Sequence, residues 1–158
     1  MGLSRTDDDK NDTARRGRTG ASSAIFMFGN MSWGSVTNRN PVAVDVNIAI
    51  LEDAVAAPVT RSAGVLANDS DPDPGDTANL VVSAIKAAGG STFSVSSGGT
   101  TVAGIYGNLT INPDGTYNYS PNNASAEALE QGKNANDVFF YTISDPGGAT
   151  STAHLTFN

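Results

Sequence analysis

The chain has 158 residues, enough for one domain of ordinary size with a short extension. It contains no cysteine and one histidine, which excludes disulfide frameworks, thiolate metal centres, thiol nucleophiles and His-based metal sites within one chain. Residues 1–40 contain six basic and four acidic side chains (+2), whereas residues 41–158 contain three and twelve (−9). Because an acidic body repels nucleic acid and anionic membranes, we expect cations rather than nucleic acid as partners.

The first forty residues are predicted to be an irregular segment that precedes the folded domain. Residues 1–20 are polar and charged and cannot bury enough apolar surface to fold by themselves. Residues 25–33 instead concentrate large apolar side chains, which we expect to dock onto their own domain, a neighbouring subunit or another partner. No apolar run approaches the roughly 20 residues of a spanning helix or the length of a secretory signal, so we expect neither membrane insertion nor a cleavable signal.

From residue 41 onward, apolar and polar residues alternate in short stretches that are bounded by turn residues. Val44, Val46, Ile48 and Ile50 alternate with polar or small neighbours, which is typical of a half-buried strand. Further strands are predicted at residues 55–59, 80–87, 92–96, 101–105, 108–112, 116–120, 138–144 and 150–157. One helical stretch is predicted at residues 124–131, where Gly132 ends it.

About seven to nine short strands with frequent turns predict an all-β sandwich of the immunoglobulin type. The clearest hairpin surrounds Pro113-Asp114-Gly115, where proline presets one backbone dihedral and glycine accepts a positive φ. The predicted core consists of apolar and aromatic strand residues: Val44, Val46, Ile48, Leu66, Leu80, Val82, Ile85, Leu109, Ile111, Tyr117, Tyr119, Phe139, Tyr141, Ile143 and Leu155. Residues 41–158 are therefore assigned to one domain.

The acidic loop, residues 68–76, is the most informative segment of the chain. Its carboxylates Asp69, Asp71, Asp73 and Asp76 would repel one another unless a cation bound them. Calcium takes about six to eight oxygen ligands, and closely spaced aspartates in a proline-restricted turn provide such ligands. The spacing does not fit an EF-hand, so other residues must complete any site, and the candidates are Glu52, Asp53, Asp137 and Asp145. An ordinary solvated loop is the alternative, because Asp, Asn, Pro and Gly are common turn residues.

Three segments, in this order along the chain, resemble a known family. They are Glu52-Asp53 followed by GVLANDSDPD (residues 64–73), YGNLTINPDGTYNYSP (residues 106–121), and DVFFYTISD (residues 137–145) followed by two glycines. Together they resemble the VCBS and cadherin-like repeats of large bacterial surface adhesins, over about residues 41–158. The resemblance implies a Greek-key, Ig-like or cadherin-like sandwich that is non-catalytic and acts in adhesion, in biofilm formation or as a spacer. It also implies an extracellular or cell-surface bacterial location, tandem modules as neighbours, and bound calcium.

Our first choices for calcium ligands are Asp53, Asp69, Asp71 and Asp145, and our second choices are Glu52, Asp73, Asp76 and Asp137. This sequence departs from the family pattern at Pro74, a second proline between the loop aspartates. Such an insertion can displace Asp73 or Asp76 from a metal.

Two other functions stay open, and an enzyme is not expected. A self-assembling subunit would donate residues 22–36 to the sheet of a neighbouring copy and so form a filament. A carbohydrate-binding module would bind surface glycans. Beyond Trp33, the one aromatic residue without an obvious core role, the sequence offers no evident aromatic platform for stacking on sugars. His154 has no nucleophile or carboxylate that spacing assigns to it, and aspartates on one short loop rarely flank a sugar cleft.

Overall fold

The computed structural model describes residues 37–51, 54, 60–129 and 134–158, which all belong to the compact unit Thr37–Asn158. These residues contain one α-helical turn, α1 (Ala124–Glu127), and three 3-10 helices of three residues each (Arg61–Ala63, Val65–Ala67 and Thr77–Asn79). They also contain eight strands: β1 (Val46–Ile48), β2 (Val81–Ala87), β3 (Phe93–Ser94), β4 (Thr100–Ala103), β5 (Asn108–Ile111), β6 (Tyr117–Ser120), β7 (Asp137–Ser144) and β8 (Thr150–Phe157). None of the helices in these ranges is long and apolar enough to cross a membrane.

The strands form two sheets that share one core. The five-stranded sheet has the order β1-β8-β7-β2-β3, and the three-stranded sheet has the order β4-β5-β6. Strand β1 runs parallel to β8, and the other neighbouring strands are antiparallel. Along β7, buried and half-buried residues alternate strictly, as expected for a strand with one face on the core. The prediction of an all-β sandwich is therefore confirmed.

Aromatic side chains join the two sheets at one end of the core. Tyr119 of β6 stacks on Phe157 of β8 with ring centroids 3.9 Å apart, and Phe139 of β7 meets both rings edge-on at 6.0 and 6.1 Å. Stacked and edge-on pairs of this kind add to the free energy gained by burying the rings. This cluster fixes the end of β7 from which Asp137 projects.

Most of the predicted core is buried or packs against the buried cluster, but Val44 does not. Its exposed fraction is 42%, because β1 begins two residues later, at Val46. The backbone of Val44 contacts the acidic loop instead: its N–H donates to Asp69 Oδ1 at 2.7 Å. The alternating sequence pattern assigned Val44 to the core, but the contacts of its backbone with the acidic loop decide where the residue lies.

The helical stretch is also shorter than the sequence predicts. Asn123 caps α1 by accepting the N–H groups of Ser125 and Ala126, and the helix ends at Glu127. Few backbone hydrogen bonds hold so short a helix, so it depends on packing rather than on propensity. Residues 130–131 of the predicted helix and the predicted strand at 55–59 lie outside the described residues.

Candidate metal centre

Strand pairing brings the acidic loop and Asp145 to the same end of the sandwich. The first residue of β2, Val81, pairs with Ser144, the last residue of β7. The chain just before β2 therefore meets the chain just after β7. We call this end of the sandwich the loop end.

Three loop carboxylates form a cluster at the loop end. Asp71, Asp73 and Asp76 each place one oxygen within 4.8 Å of the other two, and they are the one such group of three or more potential metal ligands among the residues that the structure describes. Burial raises the pKa of Asp76, and the neighbouring charges of Asp71, Asp73 and Asp145 raise it further. The charge of Asp145 is thus close enough to act on the cluster.

The second proline of the loop does not separate Asp73 from Asp76. The backbone N–H of Asp76 donates to the carbonyl of Asp73 at 3.2 Å, so the chain turns tightly between them. Gly75 makes this turn with a φ of +93°, a conformation that other residues rarely adopt. Despite the insertion of Pro74, ligand atoms of Asp73 and Asp76 therefore lie within 4.8 Å of each other.

Asp71 is held from both sides, and one of its oxygens remains without a partner. Its N–H donates to Thr77 Oγ1 at 2.8 Å, and its Oδ1 accepts the N–H of Asp73 at 2.7 Å. Its Oδ2 is buried and has no hydrogen-bond partner. Because a buried carboxylate oxygen without a partner is destabilising, this atom is a candidate metal ligand.

Asp69 lies on the core side of the same loop and also keeps one oxygen without a partner. Its Oδ1 accepts the N–H of Val44 at 2.7 Å and the hydroxyl of Tyr141 at 3.2 Å, whereas its Oδ2 is buried and unpartnered. Burial raises the pKa of Asp69, although both hydrogen bonds act in the opposite direction. Its charge is therefore only partly compensated by the protein itself.

Two residues that the sequence analysis did not consider, Asn38 and Arg39, bind the acidic residues of the loop end. The N–H of Arg39 donates to Asp73 Oδ2 at 2.7 Å, and its Nε donates to Asp73 Oδ1 at 2.8 Å. Its Nη2 donates to the carbonyl of Pro72. These hydrogen bonds from Arg39 lower the pKa of Asp73. Asn38 Nδ2 donates to Asp145 Oδ2 at 3.0 Å.

Asp145 also closes the turn between β7 and β8. Its Oδ1 accepts the N–H of Ala149 at 2.9 Å, and Asp145 is buried. A Cβ on Gly147 would lie 2.4 Å from Cγ and Nδ2 of Asn38, so a side chain there would displace Asn38. The residues before β1 and the turn after β7 are thus packed directly on each other.

Asp137 lies at the other end of β7, away from the cluster. Asp137 is the first of the eight residues of β7 and Asp145 follows the last one, so roughly 25 Å of extended strand separate them. Its carboxylate already accepts four hydrogen bonds, which come from the N–H groups of Ile105, Tyr106 and Gly107 and the hydroxyl of Tyr119. The structure therefore does not bring Asp137 to the predicted site. Glu52 and Asp53 lie outside the described residues.

The sequence model described as the bacterial cadherin-like domain matches residues 38–158. The chain belongs to the bacterial cadherin-like domain family. This cadherin-like chain is also 31% identical over 97 residues to a protein named calcium-binding lectin RapA2 from Rhizobium johnstonii. That alignment covers 61% of the cadherin-like chain and 39% of the lectin.

The donor atoms of the cadherin-like module fit a hard divalent cation. All the candidate ligands are carboxylate oxygens, the type that calcium prefers. Asp69 Oδ2 and Asp71 Oδ2 are buried and unpartnered, and Asp71, Asp73 and Asp76 share one small space. No thiolate or imidazole ligand belongs to this group, so softer transition metals are a poorer match.

Proposed function

We propose that this cadherin-like chain is a non-catalytic, calcium-stabilised adhesive module of a bacterial cell-surface or secreted protein. One observation carries the proposal: Asp71, Asp73 and Asp76 converge within 4.8 Å of one another while Asp71 Oδ2 stays buried without a partner. The family membership and the name of the lectin relative are consistent with it. The finer assignment to VCBS repeats, with tandem modules as neighbours, stays a prediction.

Asp71, Asp73 and Asp76 would hold the cation, with Asp69 and Asp145 as further carboxylates beside them. A bound divalent cation supplies positive charge that offsets the repulsion among these groups. Asp145 connects the site to the turn after β7, and Asp71 connects it to the chain before β2 through Thr77. Neutralising the cluster would therefore stiffen the loop end, which suits a module that transmits load rather than one that performs chemistry.

Calcium is expected to raise the melting temperature of the module by roughly 10 °C when present at about a hundredfold excess over Kd. Binding to the native state alone adds about 2.7 kcal/mol at that excess, and a domain of this size gains a few degrees per kcal/mol. Differential scanning calorimetry in Ca²⁺, in Mg²⁺ and in EDTA measures the effect. Mg²⁺ should stabilise less, because it is smaller and demands octahedral geometry. Identical melting temperatures in Ca²⁺ and EDTA would rule out the proposed function.

The lectin relative supports glycan binding as a second candidate function. A glycan array probed with the full chain, in Ca²⁺ and in EDTA, tests it. Calcium-dependent binding to a defined sugar class would support this second function, and silence in both buffers would contradict it. The filament hypothesis concerns residues 22–36, which lie outside the described residues, and stays a prediction.

A further inference from the structure

We infer that Arg39 is an internal competitor for the cation at the acidic cluster: its guanidinium pairs with Asp73 in the metal-free protein and lowers the affinity of the cluster for calcium. The inference rests on the proposed function and assigns a further residue that sets the affinity of the same site.

The contacts of Arg39 put its positive charge directly on one member of the cluster, Asp73. Nε donates to Asp73 Oδ1 at 2.8 Å, while the backbone N–H donates to Asp73 Oδ2 at 2.7 Å. Asp73 is a member of the group whose ligand atoms lie within 4.8 Å of one another. Both oxygens of this member are therefore engaged by Arg39 before any metal arrives.

The two partners of this ion pair differ in how freely they can move. The side chain of Arg39 is 56% exposed, whereas that of Asp73 is 8% exposed. The guanidinium can therefore turn toward solvent and be hydrated there, while Asp73 stays in place. The backbone N–H of Arg39 can keep its hydrogen bond when the side chain leaves. A competitor needs this combination of a charge that can depart and a ligand that cannot.

The charge of Arg39 acts on the site at short range. The distance of 2.8 Å to Asp73 Oδ1 is well inside the Debye length of about 8 Å at physiological ionic strength, so solvent ions screen it little. A unit positive charge at this range opposes the binding of a doubly charged ion. Partial exposure and the freedom to move reduce the effect, and we expect removal of the charge to tighten calcium binding about tenfold.

The test compares Arg39→Gln, Arg39→Lys and the wild-type full chain by isothermal titration calorimetry with CaCl₂. Arg39→Gln should bind about tenfold more tightly than wild type. Arg39→Lys keeps the charge but loses the two-nitrogen contact of the guanidinium, so its affinity should lie between those of wild type and Arg39→Gln. Lys86→Gln is the matched control, because it removes one positive charge that lies over the ring of Phe140 on the sheet face. In EDTA, Arg39→Gln should melt below wild type, and calcium should narrow or reverse that difference.

Each result bears on the inference. The competition is overturned if Arg39→Gln binds calcium with the same affinity as Lys86→Gln, or more weakly than wild type does. In that case, calcium binding by wild type leaves the proposed function intact. Calcium binding by Arg39→Gln but not by wild type supports the competition and overturns the proposed function of the wild-type chain. No binding by any variant, each folded by circular dichroism, overturns both the inference and the proposed function.

Discussion

Replacing Asp71 and Asp76 together with asparagine is expected to abolish the calcium-dependent rise in melting temperature, from roughly 10 °C to less than about 2 °C. The variant keeps the size of both side chains, and an asparagine oxygen can still accept the N–H of Asp73. It removes two of the three clustered charges. In EDTA the same variant should melt above wild type, because the burial and the repulsion that together raise the pKa of Asp76 no longer act against a charged side chain.

The loss of the calcium response, together with a higher melting temperature in EDTA, distinguishes a metal site from an ordinary acidic loop. Calorimetry in Ca²⁺ and in EDTA measures both. Glu127→Gln is the control, because it removes one exposed charge on α1 and should leave the calcium response unchanged. A double variant that still responds to calcium like wild type would show that these carboxylates are not the ligands.

Replacing Asp137 with alanine is expected to destabilise the domain by about 4 kcal/mol or more, a large part of the stability of an ordinary domain. Asp137 is 2% exposed, and its carboxylate accepts three backbone N–H groups and the hydroxyl of Tyr119. Removing it leaves these donors without their partner at a buried position. Chemical denaturation in urea measures the loss.

Two comparisons show whether the role of Asp137 is structural. Asn136→Ala changes the exposed neighbouring residue and should alter stability by less than about 0.5 kcal/mol. Asp137→Asn keeps one acceptor oxygen, so it should be less destabilised than the alanine variant while retaining the full calcium response. A weakened calcium response in folded Asp137→Asn would instead make Asp137 a ligand, as the sequence analysis first suggested.

The strands were predictable from sequence because their signal is local. Alternation along β7 and β8 and the turn at Pro113-Asp114-Gly115 depend on neighbours within a few residues. Val65 and Val102 are buried but were not predicted to be in the core, because each stands in a short stretch where the periodic signal is weak. Phe157 was also left out of the predicted core, although it continues the alternation of Ala153 and Leu155 along β8. Val44 was predicted to be buried but is exposed, since its backbone N–H donates to Asp69 of the acidic loop.

The sequence predicted the chemistry of the site, a group of carboxylates, but not which carboxylates converge. The loop aspartates were candidates because like charges are dense there, yet the observed cluster combines one first choice, Asp71, with two second choices, Asp73 and Asp76. Their convergence depends on the tight turn at Gly75. Arg39 was not a candidate, because the predicted domain begins at residue 41. Two polar residues such as Asn38 and Arg39, in a segment without periodicity, carry no local signal of a site.

By itself, the amino-acid sequence determined the fold class, the acidic character of residues 41–158 and the loop in which carboxylates concentrate, because all three follow from composition and short-range spacing. Only the tertiary structure decided which carboxylates meet. The pairing of Val81 with Ser144 carries Asp145 to the acidic loop, and the length of β7 keeps Asp137 at the far end. Strand register acts between residues about sixty positions apart, and spacing along the chain holds no record of it.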